Sequence, residues 1–222
     1  ATAAQWTPTP TATVDPNAAI TTTTPAATPT EPPPAAVITE TALTEGLAVQ
    51  DWRDTTVPKL AGRPIALQQY ESSRSLAIAP EATGFVLGTG WFLRHFDAKA
   101  TELWAKPVPG TAWGVNIPPS GKIVIAAYGD GTIRWHRLSD GQELLAFFPQ
   151  ADRKRWVLWT PSGYYDASPG GEELIGWHVN RSADEAADFF PASRFRDRFY
   201  RPDIIDRVLD TLDEGRAVTQ AN

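Results

Sequence analysis

The sequence has no cysteine and no methionine. Lack of cysteine rules out thiol nucleophiles, disulfides and thiolate metal sites together, and leaves the redox compartment open. With no methionine, the first residue is not expected to be a translation start. The expectation is that a leader was removed, which the small residues of the opening ATAAQ suit, or that the sequence is the C-terminal part of something longer. No Lys or Arg precedes Arg53, whereas Asp15, Glu31, Glu40, Glu45 and Asp51 are all present. With a net charge of −6, the chain has no overall electrostatic reason to seek nucleic acid or an anionic membrane surface. No apolar run reaches the ~18 residues of a membrane span, which puts any signal or anchor outside this sequence.

What is present divides by composition. Residues 1–37 hold 11 Thr and 8 Pro with a single aromatic, Trp6. Such a segment buries too little apolar surface to offset its ordering entropy. Residues 1–45 therefore read as an extended Thr/Pro-rich arm or linker of polyproline character. The arm is either a plain tether or a strip that lies along a partner protein. The remaining chain is rich in aromatics and able to build a core.

Between residues 41 and 70 the pattern is weak, with RPIALQQY (63–70) as a candidate first strand. From Ser75 it becomes regular. SLAIA (75–79), GFVLGT (84–89), WFLRHF (91–96) and TELWA (101–105) predict four short strands. AWGVNI (112–117), KIVIAA (122–127), TIRWHRL (132–138) and QELLAFF (142–148) predict four more. The two sets overlay with a shift of about 40, Leu93-Arg94 on Ile133-Arg134 and Glu102-Leu103 on Glu143-Leu144. RWVLWTPSGYYD (155–166) repeats the strand, Pro-Ser-Gly turn and strand as a partial third unit. Four short strands per ~40 residues with Asp-Gly turns predict propeller blades. Asp130-Gly131 predicts a type I′ hairpin.

After Asn180 the period becomes helical. Ser182-x-x-Glu185 is a capping box for a helix ending at Pro191. Phe195 and Phe199 share a face of a second helix. A third begins at Pro202, with an apolar stripe of Ile204, Ile205, Val208, Leu209 and Leu212, and stops at Gly215.

The motifs VPGTAW (108–113), AAYGDGTIRWHRLSDG (126–141), RWVLWTPSGYYDASPGG (155–171), IGWHVN (175–180) and ASRFRDRFYRPD (192–203) resemble the C-terminal end of bacterial WD-repeat proteins, some of which carry an N-terminal caspase-like domain. The resemblance covers about 140 residues and implies a β-propeller-type platform for protein contacts, with a C-terminal extension. Two departures stand against it. Arg134-Trp135 and Arg94-His95 replace the Trp-Asp dipeptide, and two blades and part of a third are fewer than the four of a closed ring. Open sheet edges would then need covering by the helical tail, the arm or a partner.

The expected fold is all-β, with partial propeller-like blades of four antiparallel strands over 46–180. A short helical extension over 181–215 and a tail over 216–222 complete it. Candidate chemistry is sparse. Asp166, Glu172 and Glu173 lie near aromatics, as a glycosidase pair would, yet they are also ordinary turn residues. His95, His136 and His178 lack a short-spaced companion for a metal. Ser168-Pro-Gly-Gly lacks the Lys and helix of a phosphate cradle. No catalytic residue, metal or cofactor is expected.

The expected role is a non-enzymatic protein-interaction or scaffold module, an accessory subunit of an extracytoplasmic assembly. Its partners would be other protein subunits of a membrane-associated complex, with neither nucleic acid nor a membrane span. Its candidate contact residues are Trp6, Trp156, Trp159, Tyr164, Tyr165, Trp177, Arg194, Arg198 and Arg201, because Trp, Tyr and Arg dominate interface energetics. One alternative is a regulatory or sensor segment of a cytoplasmic WD-repeat protein whose catalytic domain is absent. Another is a carbohydrate-binding module using the aromatics of 156–177.

Overall fold

The computed structural model describes residues 46–179 and 188–222. The strands expected between residues 75 and 148 form, and they alternate in direction without a helical crossover. A small sheet of β1 (Val49–Gln50), β2 (Lys59–Leu60) and β3 (Arg63–Pro64) comes first. Of the candidate strand 63–70, only its first two residues pair.

Next is an up-and-down sheet of β4 (Ser73–Ile78), β5 (Gly84–Thr89), β6 (Phe92–Asp97) and β7 (Glu102–Pro107). A six-stranded sheet follows: β8 (Ala112–Asn116), β9 (Ile123–Tyr128), β10 (Ile133–Arg137), β11 (Glu143–Pro149), β12 (Trp156–Trp159) and β13 (Tyr165–Ala167). A hairpin of β14 (Gly176–Val179) and β15 (Asp188–Pro191) precedes three helices, α1 (Arg196–Phe199), α2 (Pro202–Thr211) and α3 (Glu214–Ala221). The fold is all-β, built of antiparallel sheets, and among the described residues the α-helices lie at the C-terminal end.

The repeat is written in the geometry of charged side chains. Arg94 on β6 pairs with Glu102 on β7, and Arg134 on β10 pairs with Glu143 on β11 at 2.9 Å. In both of these strand pairs the register slips at an equivalent place, between His95 and Phe96 and between Trp135 and His136. The same bulge is present in both units, so the spacing of eight residues to the acid in one and nine in the other comes from the turn, where five residues separate Phe96 from Glu102 and six separate His136 from Glu143.

Four expectations are corrected. The third partial unit does not begin a new blade. β12 and β13 extend the second sheet, with Ala146 opposite Trp159 and Val157 opposite Ala167. The cause is the turn. Asp152 accepts from the amides of Lys154 and Arg155, both at 2.9 Å, and Gln150 N–H donates to Arg155 O, so the chain folds straight back.

The Gly129–Gly131 turn is not type I′ either. Only the glycine at 131 has positive φ within the Asp130-Gly131 pair (85°), and Tyr128 and Thr132 close a three-residue loop. The side chain of Asp130 accepts from the Thr132 amide at 2.9 Å, which holds the aspartate in a right-handed turn instead.

The helix expected up to Pro191 is absent over its described part. Asp188–Pro191 is a strand paired with Gly176–Val179, while the capping box Ser182–Glu185 lies outside the described residues. Nor does Gly215 end the helical region. Leu212 takes the left-handed cap of α2 (φ 53°), and Asp213 caps α3 by accepting from Arg216 N–H, which leaves Gly215 in the first turn of α3.

Burial follows the layering. Val49, Trp52 and Leu60 of the first segment cover one face of the four-stranded sheet at Leu76, Phe85 and Leu87. The opposite face, with Val86, Leu93 and Trp104, meets Ala112, Val124, Ala126 and Tyr128 of the six-stranded sheet. The far face of that sheet takes Ile204, Ile205 and Val208 of α2 against Leu144 and Leu145. Each such aliphatic side chain contributes about 1.5–3 kcal/mol when fully buried. Two polar contacts fix the middle layers in register. Trp104 Nε1–H donates to Leu138 O at 2.8 Å, and Ser75 Oγ donates to Ala112 O at 2.7 Å.

Candidate protein-interaction surface

The aromatics of 156–177 divide between interior and rim. Trp159, Tyr165 and Trp177 are 2%, 1% and 7% exposed, and Trp156 and Tyr164 are half-buried. Trp177 lies 4.4 Å from the Phe199 ring and stands edge-on to Phe195. Tyr165 meets Tyr200 at 5.5 Å and donates its hydroxyl to Glu172 at 3.1 Å. Trp159, Tyr165 and Trp177 therefore fasten the C-terminal extension to the sheet, and offer neither a partner protein nor a sugar ring a face to stack on. Trp6 lies outside the described residues.

The arginines separate in the same way. Arg201 is consumed internally, with two bonds to Asp203 at 2.8 and 2.7 Å and one to Asn222 at 3.0 Å. Arg196 pairs with Glu172. Arg194 and Arg198 are exposed, and their guanidinium groups rest on the rings of Phe190 (4.3 Å) and Phe199 (5.2 Å). Phe189, 54% exposed, lies on the other face of the β14–β15 hairpin, against His178.

The acidic and histidine candidates have local partners. Glu173 faces Arg155 at 3.6 Å, and Asp166 accepts from the Ala167 amide. His95 lies tilted against Trp104, and His178 lies against Phe189. His136 is buried, with Tyr128 Oη 2.9 Å from its Nε2 and Gly141 O 3.4 Å from its Nδ1. Its burial pushes its pKa down to about 4. Among the described residues, no three His, Asp or Glu side chains come together to hold a metal.

The surface that sequence reasoning missed lies at one end of the sheets. Tyr70 (78% exposed) precedes β4, Trp91 (46%) sits in the β5–β6 turn, and Trp113 (61%) lies on β8. Backbone bonds tie these segments together. Gly90 N–H donates to Ser72 O, Val108 N–H to Trp91 O, and Gly129 N–H to Thr111 O. Arg74 Cζ stands 5.6 Å from the Trp113 ring centroid, and the guanidinium also pairs with Asp54. Tyr70 has φ 67°, a conformation that costs a bulky residue on the order of 1–3 kcal/mol and that clusters at functional sites.

The one available signal pointed the wrong way. In AWGVNI, strict alternation puts Trp113, Val115 and Ile117 on one apolar face. A register slip between Ala112 and Gly114 turns Ala112 into the core and Trp113 outward.

Among the described residues no helix is long and apolar enough to cross a membrane. No protein-family model and no curated protein matches the chain. Among solved structures, BamB from Moraxella catarrhalis is similar at 15% identity and a TM-score of 0.40, over 55% of this chain and 44% of that one. The computationally designed Ika4 protein is similar at 14% identity and a TM-score of 0.35, over 57% of this chain and 95% of that one. The β-propeller domain of Myceliophteria thermophila Cps50 (Swd1) is similar at 12% identity and a TM-score of 0.37, over 51% and 48%. The chain thus spans less than half the length of BamB and of the Cps50 domain, and at these identities what those proteins bind does not carry over to it.

Proposed function

We propose that this chain is a non-enzymatic protein-interaction module, a scaffold or accessory subunit of a larger extracytoplasmic assembly, held on its Thr/Pro-rich arm. The observation that carries this reading is the grouping of Tyr70, Trp91 and Trp113 as exposed aromatics on hydrogen-bonded segments at one end of the sheets. Large aromatics held on rigid elements lose little side-chain entropy on contact and bury much apolar area, which is why they anchor interfaces. Exposed Arg194 and Arg198, resting on Phe190 and Phe199, supply a second, charge-assisted contact. The Thr/Pro composition of residues 1–37 supports a tether, and an extracytoplasmic setting is the one in which such stalks are common.

The test is affinity purification of the full chain from its native source, compared with a W91A/W113A double variant by quantitative mass spectrometry. Specific co-purifying subunits are expected to be lost in the variant at unchanged thermal stability. Retention of the same subunits at the same ratio would remove this face from consideration.

A further inference from the structure

Two buried histidines meet the layer between the main sheets, one from each side. Alternation puts His95 on the same side of β6 as Leu93, which lies in the core that the two sheets share. His136 of β10 faces that core too, since Tyr128 within it has its Oη 2.9 Å from His136 Nε2. Trp104 of β7 stands between the two histidines. Its ring centroid is 5.4 Å from that of His95. On its other side it abuts Gly141, where an added Cβ would lie 2.8 Å from Cε3, and Gly141 O is 3.4 Å from His136 Nδ1. The indole N–H crosses the layer to Leu138 O. This tie holds β7, one terminal strand of the four-stranded sheet, whereas the bond from Ser75 Oγ to Ala112 O holds β4, the other.

Burial keeps both rings neutral at neutral pH. It outweighs the pull of Asp97 and Leu138 O on His95, whose pKa falls below its ordinary value, and it takes that of His136 down to about 4. The buried Nδ1 of His95 has no hydrogen-bond partner. A proton arriving in this layer meets cations and acids that are already engaged. Lys106 on β7 borders Gly141, and Arg134 shares β10 with His136. Arg134 holds Asp130 and Glu143, Arg137 holds Asp140, and Asp97 accepts from the amides of Lys99 and Thr101. Each sheet also has a core on its far face, Trp52 with Phe85 and Leu87 on one and Ile204 and Val208 with Leu144 on the other. Neither sheet therefore depends on the shared layer alone. We propose that this layer is an acid-sensitive joint: protonation of His95 and His136 parts β6 and β7 from the β10–β11 turn and frees Trp104, while both sheets stay folded and hinge at β4 and β8.

The test is hydrogen exchange of the Trp104 indole N–H in the full chain, followed by NMR and corrected for the intrinsic rate at each pH. Opening restores an ordinary histidine pKa of 6.5, so His136 alone makes the opened state roughly 30-fold more populated at pH 5 than at pH 7.5. The Trp104 indole is expected to exchange at least that much faster at the lower pH, while the amides of Leu87 on β5 and Trp135 on β10 keep their protection. An indole whose corrected exchange does not change would overturn the proposal. So would equal loss at Trp104 and at those two amides, which is global unfolding. His136→Gln is expected to cut the ratio to a few-fold, and His95→Gln added to it to remove the pH dependence. A 30-fold ratio that survives in the double variant would overturn the proposal as well. Where the double variant does not fold, the comparison within the unaltered chain decides by itself.

Discussion

Arg94 grips Glu71 with two parallel bonds, Nε to Oε1 at 2.9 Å and Nη2 to Oε2 at 2.7 Å, inside a site where Glu71 is wholly buried. Thr89 Oγ1 donates to the same carboxylate at 2.5 Å and the Gln68 amide at 3.0 Å, while Glu102 takes the remaining arm of Arg94. The forked geometry suits guanidinium and not ammonium. It ties the segment before β4 to β5, β6 and β7, and so fixes the base from which Tyr70 and Trp91 project.

Arg94→Ala removes the counter-charge and leaves Glu71 buried alone. A loss of about 3–5 kcal/mol is expected, read as a lower urea midpoint. Arg94→Lys should recover only part of it, because one ammonium cannot satisfy both carboxylate oxygens.

Acid should weaken the same site. Burial pushes the Glu71 pKa up, but the bonds from Arg94, Thr89 and the Gln68 amide outweigh it and hold the group below its ordinary 4.5. A depressed carboxylate stabilises the fold above its unfolded pKa, and that stabilisation is lost as pH falls through the folded value. Urea midpoints should therefore drop below about pH 4.5, and Glu71→Gln should flatten that drop while lowering stability at neutral pH.

His136 sets a second, higher window. Its folded pKa of about 4 lies below the ordinary 6.5 because burial disfavours the cation and outweighs the opposing pull of Gly141 O, with lesser repulsion from Arg134 and Lys106. Above pH 6.5 the ring is neutral in both states and contributes nothing to the pH dependence. As pH falls from 6.5 towards 4 the unfolded chain takes up the proton first, so stability declines by up to about 3 kcal/mol. Denaturant titrations at pH 7 and pH 4.5 check this, and His136→Phe should remove most of the difference.

Gly163 marks where the extension locks onto the sheet. Its φ is +92°, and an added Cβ would overlap the Trp177 indole. Gly163→Ala should cost about 2 kcal/mol or more, from strain and overpacking together. A shift in tryptophan emission should accompany the fall in melting temperature, since Trp177 must move.

Substitution of the tryptophans should separate core from surface. Trp177→Ala is expected to cost about 3–5 kcal/mol, whereas Trp113→Ala should stay within about 0.5 kcal/mol of the parent. Thermal melts of the two variants decide the matter, and equal losses would contradict the placement of one of them.

The sequence by itself determined the local pieces. Strands from Ser75 to Phe148, the repeat that sets Arg94 on Arg134, and the apolar stripe of Ile204, Ile205 and Val208 were all legible. Each rests on the period of side chains along one element or on turn residues a few positions apart. Tertiary structure decided what those pieces do. Asp152 and the Gln150–Arg155 turn place β12 on β11 instead of in a new blade. The slip after Ala112 sends Trp113 to solvent, while long-range packing on Phe199 and Tyr200 draws Trp177 and Tyr165 inside. An aromatic residue carries the same chemical signature in a core and on a surface. Which one it joins is settled by strand register and by what packs across the sheet, and both are properties of contacts between distant residues.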